Sequence, residues 1–267
     1  DNFRYVQADT RLVREGAGHG GARSMHLGGA ALVKAAEAVI AKGRAIAAGL
    51  LQADIAEVVF SQGRFTVRGT ERAAGLLSVA RAATDPANLP EGMAPGLDSH
   101  VFNICDIVTF PNGCHLAEVE IDPETGAVSL ERYAAVDDYG RLVNPLLAKG
   151  QVQGGVAQGI GQALLEHTVY DPQSGQLSSG SLLDYALPRA GDLPPLDITL
   201  NELPTAANPL GVKGSGQAGC IAAPQTVVNA ILDALAPLGI EHIDMPATPE
   251  RVWRAIRAAN WDRVRPI

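Results

Sequence analysis

Four glycines fall within nine residues in Gly211-Val212-Lys213-Gly214-Ser215-Gly216-Gln217-Ala218-Gly219, just ahead of an apolar helical pattern at residues 224–235 that opens on Pro224. Glycine removes the Cβ that would keep a backbone away from a neighbour, and proline at the first helical position marks a helix start. The first N–H groups of such a helix have no intrahelical acceptor and lie at the positive end of its dipole. The pattern therefore predicts either an anionic group such as a phosphate held at a helix amino end, or an ordinary loop ahead of a helix. Gly214, Gly216 and Gly219 also spell GxGxxG. A dinucleotide fold needs a strand ending at the first glycine and an acidic residue about 20 residues further on. Here Pro204 and Pro209 separate the strand-like residues 196–203 from the glycines, and the helix is still running where the acid should stand. A nicotinamide site is not expected.

Two further glycine-rich segments occur. Residues 16–24 (Gly16-Ala17-Gly18-His19-Gly20-Gly21-Ala22-Arg23-Ser24) follow an extended stretch at 3–14 and precede a helix expected over 24–51, in which Gly28-Gly29 imply a close approach. In residues 150–165, Val152, Val156, Ile160 and Ala163 or Leu164 keep helical spacing while Gly150, Gly154 or Gly155, and Gly159 line another face. So many helical glycines are costly. That face is expected to admit either a second helix or a planar ligand, with Gln151, Gln153, Gln158 and Gln162 supplying uncharged amides.

Between these segments the pattern gives a hairpin at 57–60 and 64–68 and a short helix at 71–82. A proline-marked irregular segment follows at 84–99, then a strand pair at 115–121 and 128–136 around Asp122-Pro123-Glu124-Thr125-Gly126. Asp137, Asp138 and Asn144 suggest metal ligands or a solvated turn, and the spacing of a calcium loop is missing. After another turn at 171–175, a terminal helix capped by Thr248 and Pro249 is expected to dock through Val252, Trp253 and Ile256. The length allows one large core or two small lobes.

A chain of 267 residues, 46% hydrophobic, is ample for a core, and a formal charge of −8 without Lys/Arg runs excludes an electrostatic nucleic-acid footprint or a polybasic anchor. No uninterrupted apolar stretch of about 20 residues suggests a transmembrane segment. Cys105, Cys114 and Cys220 lack the spacing of a cluster, zinc or disulfide framework, which fits a reducing compartment. The absent initial methionine and the strand-like start at 3–7 suggest a fragment, a processed chain or an excised piece.

Taken in order, Gly20-Gly21-Ala22-Arg23-Ser24, Phe110-Pro111-Asn112-Gly113, the 117–126 strand and turn, the glycine- and glutamine-rich 150–164 and residues 208–219 resemble one family. It is the molybdopterin-binding large subunit of the xanthine dehydrogenase, aldehyde oxidase and carbon monoxide dehydrogenase family, in its carboxyl-terminal half. The resemblance implies an α+β fold class, mixed sheets packed against long helices, in one cofactor-binding domain over 1–267, with two lobes at about 1–105 and 106–267 as the alternative. The resemblance implies a molybdopterin cytosine dinucleotide lying between two halves and carrying molybdenum, with no metal ligand from the protein. Gly21, Ala22, Arg23 and Ser24, then Gln151, Gly154 and Gly155, then Lys213, Gly214, Ser215 and Gly216 would contact it. It further implies a companion amino-terminal half, an iron–sulfur subunit with 2Fe–2S clusters and a flavin subunit carrying FAD. The chain would then belong to a heteromer in the cytoplasm, with the periplasm or the inner-membrane face as alternatives. The implied reaction is oxidative hydroxylation of an aldehyde or N-heterocycle, a small-molecule substrate, with water-derived oxygen and hydride transfer to a molybdenum–sulfido centre.

Gln217 departs from the pattern, because the family places a glutamate base there. Glutamine keeps the shape and loses the proton affinity, and loss of a general base costs about 10²- to 10⁴-fold in rate. The alternative is therefore a catalytically inactive cofactor-binding or assembly module. Tyr5, His19 and His100 remain open as substrate contacts.

Overall fold

The computed structural model describes residues 3–259 apart from 14, 17 and 106. The chain forms two compact units, a smaller one of residues 24–106 with 208–210, and a larger one of residues 1–23, 107–207 and 211–267.

In the smaller unit a π-helical turn, Ser24–Gly29, leads into α1 (Ala30–Leu50). A Cβ at Gly29 would meet Leu210 and Met25 at 2.9 Å, whereas Gly28 faces open space, so the close approach expected at the pair belongs to Gly29. β1 (Val58–Ser61), β2 (Arg64–Val67) and β3 (Ala73–Gly75) form an antiparallel sheet. Gln62 and Gly63, both at positive φ, make the two-residue turn that matches strand twist. The helix expected at 71–82 is half strand: Ala73–Gly75 returns along β2, and α2 covers only Leu76–Ala82. Ile46, Val58, Phe65, Val67 and Val79 close the core.

The larger unit carries β4 (Asn112–Ile121) and β5 (Val128–Asp138), antiparallel, with β6 (Leu196–Asn201) parallel to β5. The β4–β5 turn forms as its residues dictate. The Asp122 carboxylate accepts from the Glu124 N–H (2.8 Å) and the Thr125 hydroxyl (2.7 Å), and Gly126 takes φ +74°. Strict alternation fails in β5 at Glu131-Arg132 and again at its buried end, Asp137-Asp138. A register shift opposite Glu118/Val119 lets both Leu130 and Tyr133 face the core across an odd spacing.

The helices α3 (Pro145–Leu164) and α4 (Ala218–Leu235) pack on each other and on this sheet. Asn144 caps α3, its side chain accepting from the Leu147 N–H at 3.1 Å, with Pro145 in the first turn. Helix α4 starts at Ala218, not Pro224, which lies inside it. Pro224 rests against Gly159, so packing offsets the usual cost of an interior proline. Helix α4 is long and apolar enough to cross a membrane by composition, yet Ala223, Val227 and Ile231 are fully buried in the core. The last helix, α5 (Pro249–Ala258), has the expected Thr248 cap, and Val252 and Ile256 are buried. Trp253 stays 37% exposed, with the Arg257 guanidinium over its ring at 5.5 Å. The described residues of 3–14 form no strand; their backbone turns at Asp9, which accepts from Leu12 and Val13.

Candidate cofactor site

Asp137 and Asp138 do not form a solvated turn. They end β5 and are 3% and 5% exposed. No cluster of three or more metal-ligating side chains occurs among the described residues. The alternating pattern could not separate a strand end from a turn, because Tyr139-Gly140 follow directly.

The Asp138 carboxylate accepts from the N–H groups of Gly140 (2.8 Å) and Leu203 (3.1 Å) and pairs with the Lys213 ammonium. Burial opposes its ionisation, but Lys213 and the two N–H groups outweigh burial and hold the carboxyl below the usual carboxylate range. The same strand end grips the glycine loop by its backbone. Lys213 N–H donates to the Tyr139 carbonyl (2.8 Å) and Arg141 N–H to the Gly211 carbonyl (2.9 Å). Gly140, at φ +65°, lies against Gly211, where no Cβ would fit.

Beneath Asp138 lies a second buried group. His115 Nδ1 is 2.7 Å from the Tyr133 hydroxyl, and its Nε2 is 3.1 Å from Asp137, which also accepts from Tyr139 at 2.9 Å. Burial first, and then the Asp137 charge, push both tyrosines well above the usual phenol range, with a Thr226 hydrogen bond partly opposing this at Tyr133.

From this anchor the loop runs past Gly214 and Gly216 into α4. A Cβ at Gly214 would lie 2.5 Å from that of Ala22, so the first and third glycine-rich segments touch here. Ala22 is held at φ +54°, a region costly for any residue with a side chain, next to Gly21 at +79°. The second segment joins through Gln151, whose amide donates to the Gly216 carbonyl at 2.6 Å.

The glycines of α3 divide between the two expected uses. Gly155 and Gly159 serve helix packing, since a Cβ there would stand 2.8 Å from the Cys220 amide nitrogen and 2.6 Å from Ala223. A methyl group added at Gly150 or Gly154 would meet nothing within 4 Å, and both glycines open onto a cavity of about 270 Å³. Gln151, Gln158, Gly216, Gln217, Cys220 and Ile221 also line it, together with Gly155, which thus serves both uses. A larger cavity of about 720 Å³, rimmed by Glu120, Asp122, Glu131 and Asp192, is lined by neither the first nor the third glycine-rich segment.

The structure thus brings together Ala22, Gln151, Gly154, Gly155, Gly214, Gly216 and Gln217. Lys213 directs its ammonium to Asp138, and Ser215 is half-buried in the loop. Gly21 and Arg23 flank Ala22 in the larger unit, and Ser24 begins the smaller one. Gly150 and Gln158 share the spacing of Gly154 and Gln151 and were legible as one helical face, while Cys220 and the Asp138 anchor carried no local signal. The cradle suits an uncharged heterocycle joined to phosphate. It offers amides, bare helix backbone and the N–H groups that open α4.

A family model described as a molybdopterin cofactor-binding domain matches residues 1–194. The chain belongs to that family. It is 39% identical, over 96% of its length, to the nicotine 6-hydroxylase large subunit of Paenarthrobacter nicotinovorans, of which it covers 32%. Among solved structures it is similar to the Cu,Mo-CO dehydrogenase in its carbon monoxide reduced state, with a TM-score of 0.83 and 30% identity, over 92% of this chain and 31% of that one. It is also similar to quinoline 2-oxidoreductase from Pseudomonas putida 86, with a TM-score of 0.75 and 37% identity, over 84% of this chain and 29% of that one. The α+β architecture is that of the molybdopterin-binding region of CO dehydrogenase. The chain spans about a third of the length of these relatives.

Proposed function

We propose that this chain is the carboxyl-terminal cofactor-holding part of a molybdenum hydroxylase that oxidises an N-heterocycle or an aldehyde. The observation that carries the reading is the meeting of three glycine-rich segments, Ala22 against Gly214 and Gln151 on Gly216, beside an amide-lined cavity that the second and third of them line. The nicotine and quinoline enzymes it resembles favour a nitrogen heterocycle as substrate.

The residues of the larger unit that would hold a molybdopterin cytosine dinucleotide are Gly21 to Arg23, Gln151 with Gly154, and Gly214 to Gln217. The bound group would supply two-electron oxidation and water-derived oxygen at molybdenum. This chain's share is to bind and orient. The first-turn N–H groups of α4 would favour an anionic group, Gly150 and Gly154 would let a planar ring approach the helix, and Gln151 and Gln158 would offer it amides. Gln217 is exposed at the cavity and donates or accepts a hydrogen bond without taking up a proton. An amino-terminal companion half completes the site, and iron–sulfur and FAD-carrying partner chains take the electrons away in a cytoplasmic heteromer. Leu146, Leu147, Leu182 and Leu183 support such coverage, being 81%, 68%, 77% and 93% exposed in the larger unit.

Gln217 favours a second reading, a cofactor-binding module without turnover. The deciding experiment measures molybdenum and released cytosine nucleotide in the full-length protein purified with its partner chains, and turnover of Gln217→Glu beside the parent. Stoichiometric metal and measurable parent turnover, raised about 10²- to 10⁴-fold by the glutamate, is expected. Metal in both proteins with turnover only in Gln217→Glu selects the second reading. Metal in neither overturns both.

A further inference from the structure

In the smaller unit, His26 and Cys105, 79 residues apart, bring Nε2 and Sγ to 2.7 Å. His26 lies in the π-helical turn ahead of α1 and is 7% exposed, whereas Cys105 is half-buried and reaches solvent. The contact is held from both sides. One residue pair away, the Lys34 ammonium donates to the Asn103 side-chain carbonyl (2.6 Å), and the Asn103 amide donates to the Leu27 carbonyl (3.4 Å). These bonds fix the irregular segment before Cys105 against the start of α1. A thiol in hydrogen-bond reach of an imidazole is the arrangement that activates a sulfur nucleophile.

We propose that Cys105 and His26 form a nucleophilic thiol–imidazole site that reacts with hydroperoxides. In the tautomer carrying its proton on Nδ1, His26 takes the thiol proton on Nε2 as the sulfur attacks the outer peroxide oxygen. The S–O bond forms and the O–O bond breaks. The departing alkoxide or hydroxide takes the proton from the imidazole. The balance is Cys–SH + ROOH → Cys–SOH + ROH, with sulfur oxidised by two electrons and the peroxide reduced by two. The half-buried sulfur suits a small oxidant. The amide cavity of the larger unit holds a different thiol, Cys220.

Cys114 is an internal control, because it is more exposed than Cys105. The full-length protein in its complex is treated with hydrogen peroxide, sulfenic acid is trapped with dimedone, and labelling of each cysteine is followed by peptide mass spectrometry. Iodoacetamide alkylation is followed in parallel. Cys105 is expected to react about tenfold faster than Cys114, and His26→Gln to slow Cys105 about tenfold while leaving Cys114 unchanged. Labelling that follows exposure, with Cys114 ahead or level, overturns the proposal, as does an unchanged Cys105 rate in His26→Gln. If that variant does not fold, the Cys105 to Cys114 ratio in the parent decides.

Discussion

Gln151 in α3 and Gly216 in the loop ahead of α4 are joined by a 2.6 Å hydrogen bond from the amide to the carbonyl, across 65 residues of sequence. The bond sets the glycine face of α3 in register with the loop that opens α4. It is solvent-exposed, so it contributes no more than about 1 kcal/mol to folding. Gln151→Ala is therefore expected to leave the thermal midpoint within a few degrees of the parent and to lower the molybdenum retained by the full complex after gel filtration. Parallel loss of both would show that the residue only supports the fold.

The glycines of α3 make opposite predictions in pairs. At Gly155 and Gly159 an added methyl group meets α4 backbone or Ala223, and Gly155→Ala or Gly159→Ala should destabilise by about 1–3 kcal/mol in urea unfolding. At Gly150 and Gly154 there is open space, and alanine should stabilise the helix by about 0.5–1 kcal/mol. If a planar cofactor lies on that face, Gly154→Ala will hold less of it while melting higher.

Asp138 ties acid stability to the glycine loop. Its folded carboxyl titrates below the unfolded value of about 3.9, so the stability it supplies is complete above that value and is lost as pH falls through the depressed one. Asp138→Asn should flatten the dependence of stability on pH below about 4. Near neutral pH it should cost about 3 kcal/mol, because Lys213, 14% exposed, keeps its charge without a counter-charge. Denaturant titrations at several pH values measure both effects.

His115 and Asp137, with side chains 2% and 4% exposed, leave little room for water to replace a lost partner. His115→Ala should destabilise by about 3 kcal/mol, since it strips hydrogen bonds from a buried carboxylate and from Tyr133. The two tyrosines add an alkaline limit. Their folded values are raised, so their contribution is full below the unfolded value of about 10 and falls as pH rises beyond it. Tyr133→Phe should weaken that alkaline loss in pH-dependent melts.

Local chemistry made several elements readable without a structure. Asp122, Thr125 and Gly126 close their turn with their own side chains and φ, Gln62-Gly63 makes a hairpin turn, and Thr248-Pro249 starts α5. The period of Val152, Val156 and Ile160 placed the buried stripe of α3 correctly, because each is fully or almost fully buried. The same reasoning misplaced the start of α4. Proline at position 224 reads locally as a first-turn residue, and only the bare surface of Gly159 opposite it makes an interior proline tolerable. It also read Asp137 and Asp138 as a turn, because carboxylates are usually solvated and their partners His115 and Lys213 lie 22 and 75 residues away.

By itself the sequence determined the family, the α+β class and the three glycine-rich segments, since motif order, helical period and turn chemistry act over a few residues. The tertiary structure alone decided which glycines serve packing and which open onto the cavity, since a Cβ is excluded only where another chain segment arrives. It also decided the meeting of Ala22 with Gly214, the anchoring of Lys213 by Asp138 and the pairing of His26 with Cys105. Each joins residues dozens of positions apart, and no local preference encodes such a distance.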